Sequence, residues 1–159
     1  MVTELLSSFL QPGTDSDVAG AYATLSARAL ETVYGFEDEV VILDLETTGF
    51  DPLRDEIIEA AALIARGPEV VGRWSTLVCP VRPIPHETTQ LTGIDDAMVA
   101  DAPPIERALA ELAAFAGART LVAHNAAFDR AFLEAAGSVS SGLRGAWIDY
   151  LEVVRLAFL

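Results

Sequence analysis

Two carboxylates, Asp44 and Glu46, stand two positions apart in "VVILDLETTGFDP", Val40 to Pro52, at the end of a run apolar enough for the middle of a sheet. In an extended chain alternate side chains share a face, so both acids point the same way, roughly 7 Å apart at about 3.3 Å rise per residue. At an effective dielectric of about 20, two like charges at that distance repel by about 2 kcal/mol. A hard divalent cation such as Mg²⁺ or Mn²⁺ offsets that repulsion, because such ions select carboxylate oxygens. The blander alternative places both acids past the strand end, in water.

A third carboxylate lies in "LVAHNAAFDRAFL", Leu121 to Leu133. Asn125 reads as a helix N-cap, which sets Asp129 early in the helix, where the positive end of the dipole favours an ionised acid. Asp129 shares a stripe with Phe132 and Leu133, three and four positions on, so it faces the core while Arg130 and Glu134 take the other side. If this helix packs beside the first strand, Asp129 joins Asp44 and Glu46 in a metal-binding cluster. An acid at the rim of a helix start is the alternative.

The elements that must position these residues follow from periodicity. Residues 1–36 read as a separate helical arm, with Val18, Tyr22, Leu25, Leu30 and Val33 recurring mostly every three or four positions after the turn cluster "QPGTDSD". A strand spans Glu39 to Glu46. "EIIEAAALIAR" is ambiguous, because its alanines favour helix while the alternation of Ile57, Glu59, Ala61 and Leu63 suits a strand. Its position before a Gly67-Pro68 turn and the β-rich "EVVGRWSTLVCP" favours a hairpin. "VRPIPHETTQLTGIDD" reads as a loop with room for a short helical turn. "APPIERALAELAAFAG" is a helix with Pro near its start and Gly117 at its end. A strand "RTLVAHN", a helix stopped by Gly137, and a short strand running into a last helix complete an α/β domain with a mixed sheet. That helix ends on "RLAFL" without a cap, so residues 37–159 are expected to be part of a longer domain whose C-terminal portion is missing.

Composition bounds the partners. With 159 residues, 52% apolar and 21% charged, the chain suits one globular domain. Cys79 is the only cysteine, which excludes an internal disulfide and a thiolate metal site. No stretch approaches a membrane span and no secretory leader is recognisable, so the expected location is cytoplasmic. The 24 acids against 10 arginines give a formal net charge of -14, which argues against a broad phosphate-binding surface but leaves room for a small site reading a strand end.

Four segments together carry a resemblance: "DLETTG" at Asp44 to Gly49, "QLTGI" at Gln90 to Ile94, "HNAAFD" at His124 to Asp129, and "IDYLEVVRLAF" at Ile148 to Phe158. In order and spacing they resemble the DEDD (DnaQ-like) exonucleases, the family that includes the epsilon proofreading subunit of DNA polymerase III and ribonuclease T. The resemblance implies a ribonuclease-H-like fold, with five strands in the order 3-2-1-4-5, the second antiparallel. It also implies that "EIIEAAALIAR" is a strand. The activity it implies is removal of nucleotides from the 3′ end of single-stranded or frayed DNA or RNA, with two Mg²⁺ or Mn²⁺ ions. In that scheme Asp44 bridges both ions, Glu46 holds the one activating water, and Asp129 the one at the leaving oxygen. Thr47, Thr48, Gly49, Leu91, Thr92, His124 and Asn125 resemble the pocket for the terminal nucleotide, and Phe128 its apolar wall.

The family's third motif, a general-base His or Tyr followed by a fourth Asp, has no counterpart in these residues. His86 reads as a solvated loop histidine, and Asp149 in "DYLE" as the head of a capping box closed by Glu152. The 159 residues are therefore expected to be impaired as a nuclease, and to need a polymerase or helicase subunit, or a further domain, for tight substrate binding. One alternative is a non-catalytic module that binds a partner protein or strand end. A phospho-acceptor domain built on Asp44 is weaker, because it gives Glu46 and "HNAAFD" no task.

Overall fold

The computed structural model describes residues 39–67, 69–137 and 142–157. The helical arm expected at residues 1–36 lies outside the described residues, as do Phe158 and Leu159.

Three strands come first: β1 (Glu39–Thr47), β2 (Ile57–Arg66) and β3 (Glu69–Leu77). Two short helices, α1 (His86–Thr92) and α2 (Asp96–Val99), lead to a longer one, α3 (Ile105–Ala116). Then follow β4 (Thr120–Ala123), α4 (Ala126–Ala135), β5 (Trp147–Asp149) and α5 (Tyr150–Ala157). The sheet runs β3-β2-β1-β4-β5. β2 pairs antiparallel with β1 and β3, while β1 with β4 and β4 with β5 are parallel. This is the ribonuclease-H-like order that the resemblance implied.

β2 is strand despite its alanines because it lies inside the sheet and is buried along its whole length up to Arg66. Tertiary burial outweighs helix propensity there, and small side chains let the layers approach. One sheet face carries Val41, Leu43, Leu45, Ala60 and Ala62 against Leu109 and Leu112 of α3 and Phe132 and Leu133 of α4. The opposite face carries Val40, Ala65 and Val122 with Tyr150 of α5. By alternation Asp44 and Glu46 belong to this second face, which α3 and α4 leave uncovered.

The segment expected as a loop with room for a short helical turn carries α1, and α2 begins at its last residue, Asp96. Both are short and threonine- or aspartate-rich, so they present no apolar stripe long enough to read. Local chemistry closes them: Gly93 ends α1 at φ 76°, and the Asp95 side chain accepts a 2.9 Å hydrogen bond from the Met98 N–H at the start of α2. Further on, the chain enters β5 through Gly145, where a Cβ atom would stand 2.0 Å from the Arg119 carbonyl oxygen. That close approach lets the Leu121 N–H donate to the Ala146 carbonyl at 2.7 Å and seats β5 against β4.

Candidate active site

β1 outlasts its neighbour. Its pairing with β4 ends at Ile42 and Val122, whereas its pairing with β2 continues through Glu46 opposite Glu59 and on to Thr47. The segment bearing Asp44 and Glu46 therefore has a strand on one side and, on the other, the crevice beyond the C-terminal end of β4. Such crevices are where α/β sheets place their ligand sites. The chain leaves β4 through His124 and Asn125 and turns at once into α4, so Asp129 in the first turn of that helix arrives at the crevice from above.

The Leu45 backbone amide lies beside the carboxylates of both Asp44 and Asp129 and favours their ionised forms. Asp129 is only 5% exposed, and Phe132 and Leu133 of the same helix face are buried with it. Arg130 and Glu134 pair with each other at 2.7 Å on the outer face, as the helical spacing predicts. Burial, then the charge of Asp44, pushes Asp129 up to about 7, and the field of Asp149 acts in the same direction. Asp44 rises to about 6, again chiefly by burial, with Glu59 adding to the rise and the Leu45 amide and His124 opposing it. Glu46 also rises, through burial and the charges of Asp44 and Glu59. Neither strand acid lies past the strand end in water; both are half-buried within β1.

The chemistry of this donor set suits a hard cation, since it consists of carboxylates, desolvated and mutually repelling. Asp44 and Asp129 form a converged pair, and Glu46 flanks it. Among the described residues no group of three or more His, Cys, Asp or Glu side chains is gathered tightly enough to enclose a metal ion as it stands. The expected cluster of three is thus a pair drawn from β1 and α4 with a neighbour on β1.

Comparison with known proteins agrees with this geometry. The sequence profile of the exonuclease family matches residues 41–158. The chain belongs to the DEDD (DnaQ-like) exonucleases. Relatives include the PolC-type DNA polymerase III of Caldanaerobacter subterraneus subsp. tengcongensis, 40% identical over 126 residues, and that of Bacillus subtilis, 39% identical over 100 residues. These matches cover 79% and 63% of this chain but only 9% and 7% of the polymerases. Among solved structures, exonuclease X in complex with 5′ overhanging duplex DNA superposes with a TM-score of 0.58 at 31% identity, over 75% of this chain and 64% of its own. Apo exonuclease I, at 16% identity, shares the fold with a TM-score of 0.67 over 77% of this chain and 31% of its own. The family comprises 3′-to-5′ exonucleases that depend on divalent metal ions.

The remaining residues of this DEDD domain divide into scaffold and surface. The Thr48 hydroxyl accepts from the Glu56 N–H at 2.9 Å, and the Thr47 hydroxyl donates to the Gly49 carbonyl at 2.6 Å. Gly49 is fixed by crowding, because a Cβ there would stand 2.4 Å from the Asp55 carboxylate. α1 is tied to this loop by the Thr88 hydroxyl, which donates to the Thr48 carbonyl at 2.8 Å. Thr92 is buried, its hydroxyl donating to the Thr88 carbonyl at 2.9 Å and accepting from Ile94. These hydroxyls shape the loop from inside. Leu91, by contrast, is 78% exposed on α1, and His124 is exposed with its ring 6.1 Å from that of Tyr150.

Several readings need correcting. Asn125 holds the N-cap position of α4, but its side chain makes no capping hydrogen bond, because its ψ of 75° departs from the usual extended cap geometry; its backbone carbonyl accepts from Phe128 instead. His86 is the exposed first residue of α1, beside Gln90, and not a loop residue. Asp149 does accept from the Leu151 N–H at 2.9 Å, as a cap should, and its charge also reaches Asp129. Sequence reasoning missed two residues. Phe50, 84% exposed, meets Phe128 edge-on at 6.4 Å. Glu59, buried in β2, faces Glu46, and a lone acid in an alternating strand gives no sign of that register.

Proposed function

We propose that this chain is a metal-dependent exonuclease domain that cleaves the terminal phosphodiester at a single-stranded or frayed 3′ end, with DNA as its substrate. The observation that carries this is the convergence of half-buried Asp44 and buried Asp129 beside the Leu45 amide, which joins β1 and α4 in one acidic crevice. Asp44, Glu46 and Asp129 would hold Mg²⁺ or Mn²⁺. A divalent cation bound there supplies hydroxide-like water near neutral pH and neutralises the leaving oxygen, the established division of labour in two-metal sites. The chain's own contribution is placement: the β1 backbone fixes Asp44 and Glu46, and the first turn of α4 delivers Asp129. Phe128 and Phe50 offer an apolar wall for the terminal nucleoside, with Leu91 on α1 as a further contact. The Asn125 amide and His124 ring edge the same crevice, and Thr47, Thr48, Gly49 and Thr92 hold its rim in shape.

The preference for DNA rests on the polymerase relatives and on the duplex DNA held by exonuclease X. Attachment to a polymerase, a helicase subunit or a further domain fits a chain that spans 9% of a polymerase relative. Among the described residues no helix is long and apolar enough to cross a membrane, and we place the domain in the cytoplasm. A net charge of -14 favours a second reading, a module that binds a partner or strand end without cutting it.

Oligonucleotides labelled at either end separate these readings. Slow, progressive loss of 3′ nucleotides in Mn²⁺, reduced at least about a hundredfold by Asp44→Asn, is expected of the nuclease. Calorimetric Mn²⁺ binding without cleavage would favour the module, and loss of 5′ label would overturn both.

A further inference from the structure

We propose that Glu56 is a positioning residue for the 3′-terminal nucleotide: through the Val81 amide it fixes the segment that delivers α1, and with it Leu91, to the crevice. Glu56 is the last residue before β2, and its backbone is bound on both sides to Thr48. The Thr48 N–H donates to the Glu56 carbonyl at 2.8 Å, and the Thr48 hydroxyl accepts from the Glu56 N–H at 2.9 Å. Thr48 stands two positions beyond Glu46, so Glu56 is held at a set distance from the end of the acidic strand. Its carboxylate then reaches residues 25 and 26 positions further on, accepting from the Val81 N–H at 2.5 Å and from Arg82 Nε at 2.8 Å.

The segment that leads into α1, "CPVRPIP" from Cys79 to Pro85, cannot form a ladder or a helix of its own, because Pro80, Pro83 and Pro85 donate no backbone hydrogen bond. Distant acceptors take its amides instead. Cys79 donates to the Pro103 carbonyl at 3.0 Å and Ile84 to the Asp96 carboxylate at 2.9 Å, which tie the segment to the chain around α2 and α3. Val81, through Glu56, ties it to the β1–β2 loop. Pro85 holds the N-cap position of α1, so two prolines of fixed φ lie between Val81 and the helix, and a shift at Val81 carries through to α1. The Thr88 hydroxyl, donating to the Thr48 carbonyl at 2.8 Å, makes a second link that ends on the same threonine. Two links to one anchor set both the distance and the tilt of α1. Leu91, one turn beyond Thr88 and 78% exposed, is thereby presented to a ligand in the crevice. The ion pair with Arg82, whose side chain is 59% exposed, adds little by itself; the acceptor for the Val81 amide is the part that positions.

This inference rests on the nuclease reading above, and its test separates the two. KM and kcat are measured in Mn²⁺ with a 5′-labelled oligothymidylate, and Mn²⁺ affinity by calorimetry, for the natural sequence, Glu56→Ala, Glu56→Gln and Arg82→Ala. Where turnover is slow, KM reports binding. Glu56→Ala removes the acceptor and is expected to raise KM about five- to tenfold, while kcat and Mn²⁺ affinity stay within about twofold. Glu56→Gln keeps an oxygen for the Val81 amide and Arg82→Ala keeps the whole carboxylate, so both should hold KM within about twofold of the natural value. In a Leu91→Ala background, Glu56→Ala should add less than about twofold, because the two act through one contact. An unchanged KM in Glu56→Ala, a loss confined to kcat, an equal loss in Arg82→Ala, or a full added loss on top of Leu91→Ala would overturn the role of Glu56 and leave the nuclease reading intact. No 3′ cutting by the natural sequence would overturn both.

Discussion

Asp129 and Asp44 retain protons in the fold up to about 7 and about 6, against 3.8 for a free aspartate. Between those limits the native chain carries protons that the unfolded chain has released, so stability falls as pH rises. The contribution is complete below the unfolded value and gone above the folded one. In chelator, the melting temperature should therefore drop from about pH 5 to about pH 8, and Asp129→Asn should flatten that slope. Mn²⁺ should restore the lost stability by binding the ionised form. A natural sequence whose melting temperature in chelator is level across this range would show that the two acids are not held desolvated and close together in the fold. Part of this was legible beforehand: the spacing of Asp129 with Phe132 and Leu133 placed it on the buried stripe. The mutual field of Asp44 and Asp129 was not, because it depends on β4 stopping short.

Among the elements, β5 is the one most dependent on a single residue. A methyl group at Gly145 would meet the Arg119 carbonyl at 2.0 Å, and a backbone oxygen cannot rotate away as a side chain can. Gly145→Ala should cost about 2–3 kcal/mol in denaturant unfolding through displacement of β5 from β4. A change below about 0.5 kcal/mol would mean that the approach relaxes at little cost. The longer elements were legible because each carries one consistent signal: β1 and β3 by strand composition, α3 and α4 by stripe and terminal glycine. α1 and α2 were not, since "HETTQLT" and "DAMV" lack a stripe; the Thr88 and Thr92 hydroxyls donate to backbone carbonyls in and beside α1, and the Asp95 carboxylate accepts from Met98 at the start of α2. The strand order came from the family resemblance; nothing in the periodicity of β4 or β5 says which edge each joins. The register shift between Glu46 and Thr47 in the β1–β2 pairing left no mark at all, because "IIEAAALIA" reads the same with or without it.

Over the whole molecule the charge of -14 sets the terms on which a polyanion can approach. Basic nucleic-acid binders lose affinity steeply with added salt through counterion release. An acidic domain that grips only a strand end should behave differently: its KM for a single-stranded oligonucleotide at saturating Mg²⁺ should stay level or improve from about 50 to about 200 mM salt. A loss of a hundredfold or so over that range would overturn the end-gripping reading. The overhang of β1 past β4 has one more consequence. Because Leu45 lies beyond the last residue of β1 paired with β4 and beside the Asp44 and Asp129 carboxylates, its N–H resonance is a spectroscopic reporter of the crevice. Magnesium titration or neutralisation of Asp129 should move that peak while those of Val40 and Val41, deep in the ladder, stay still.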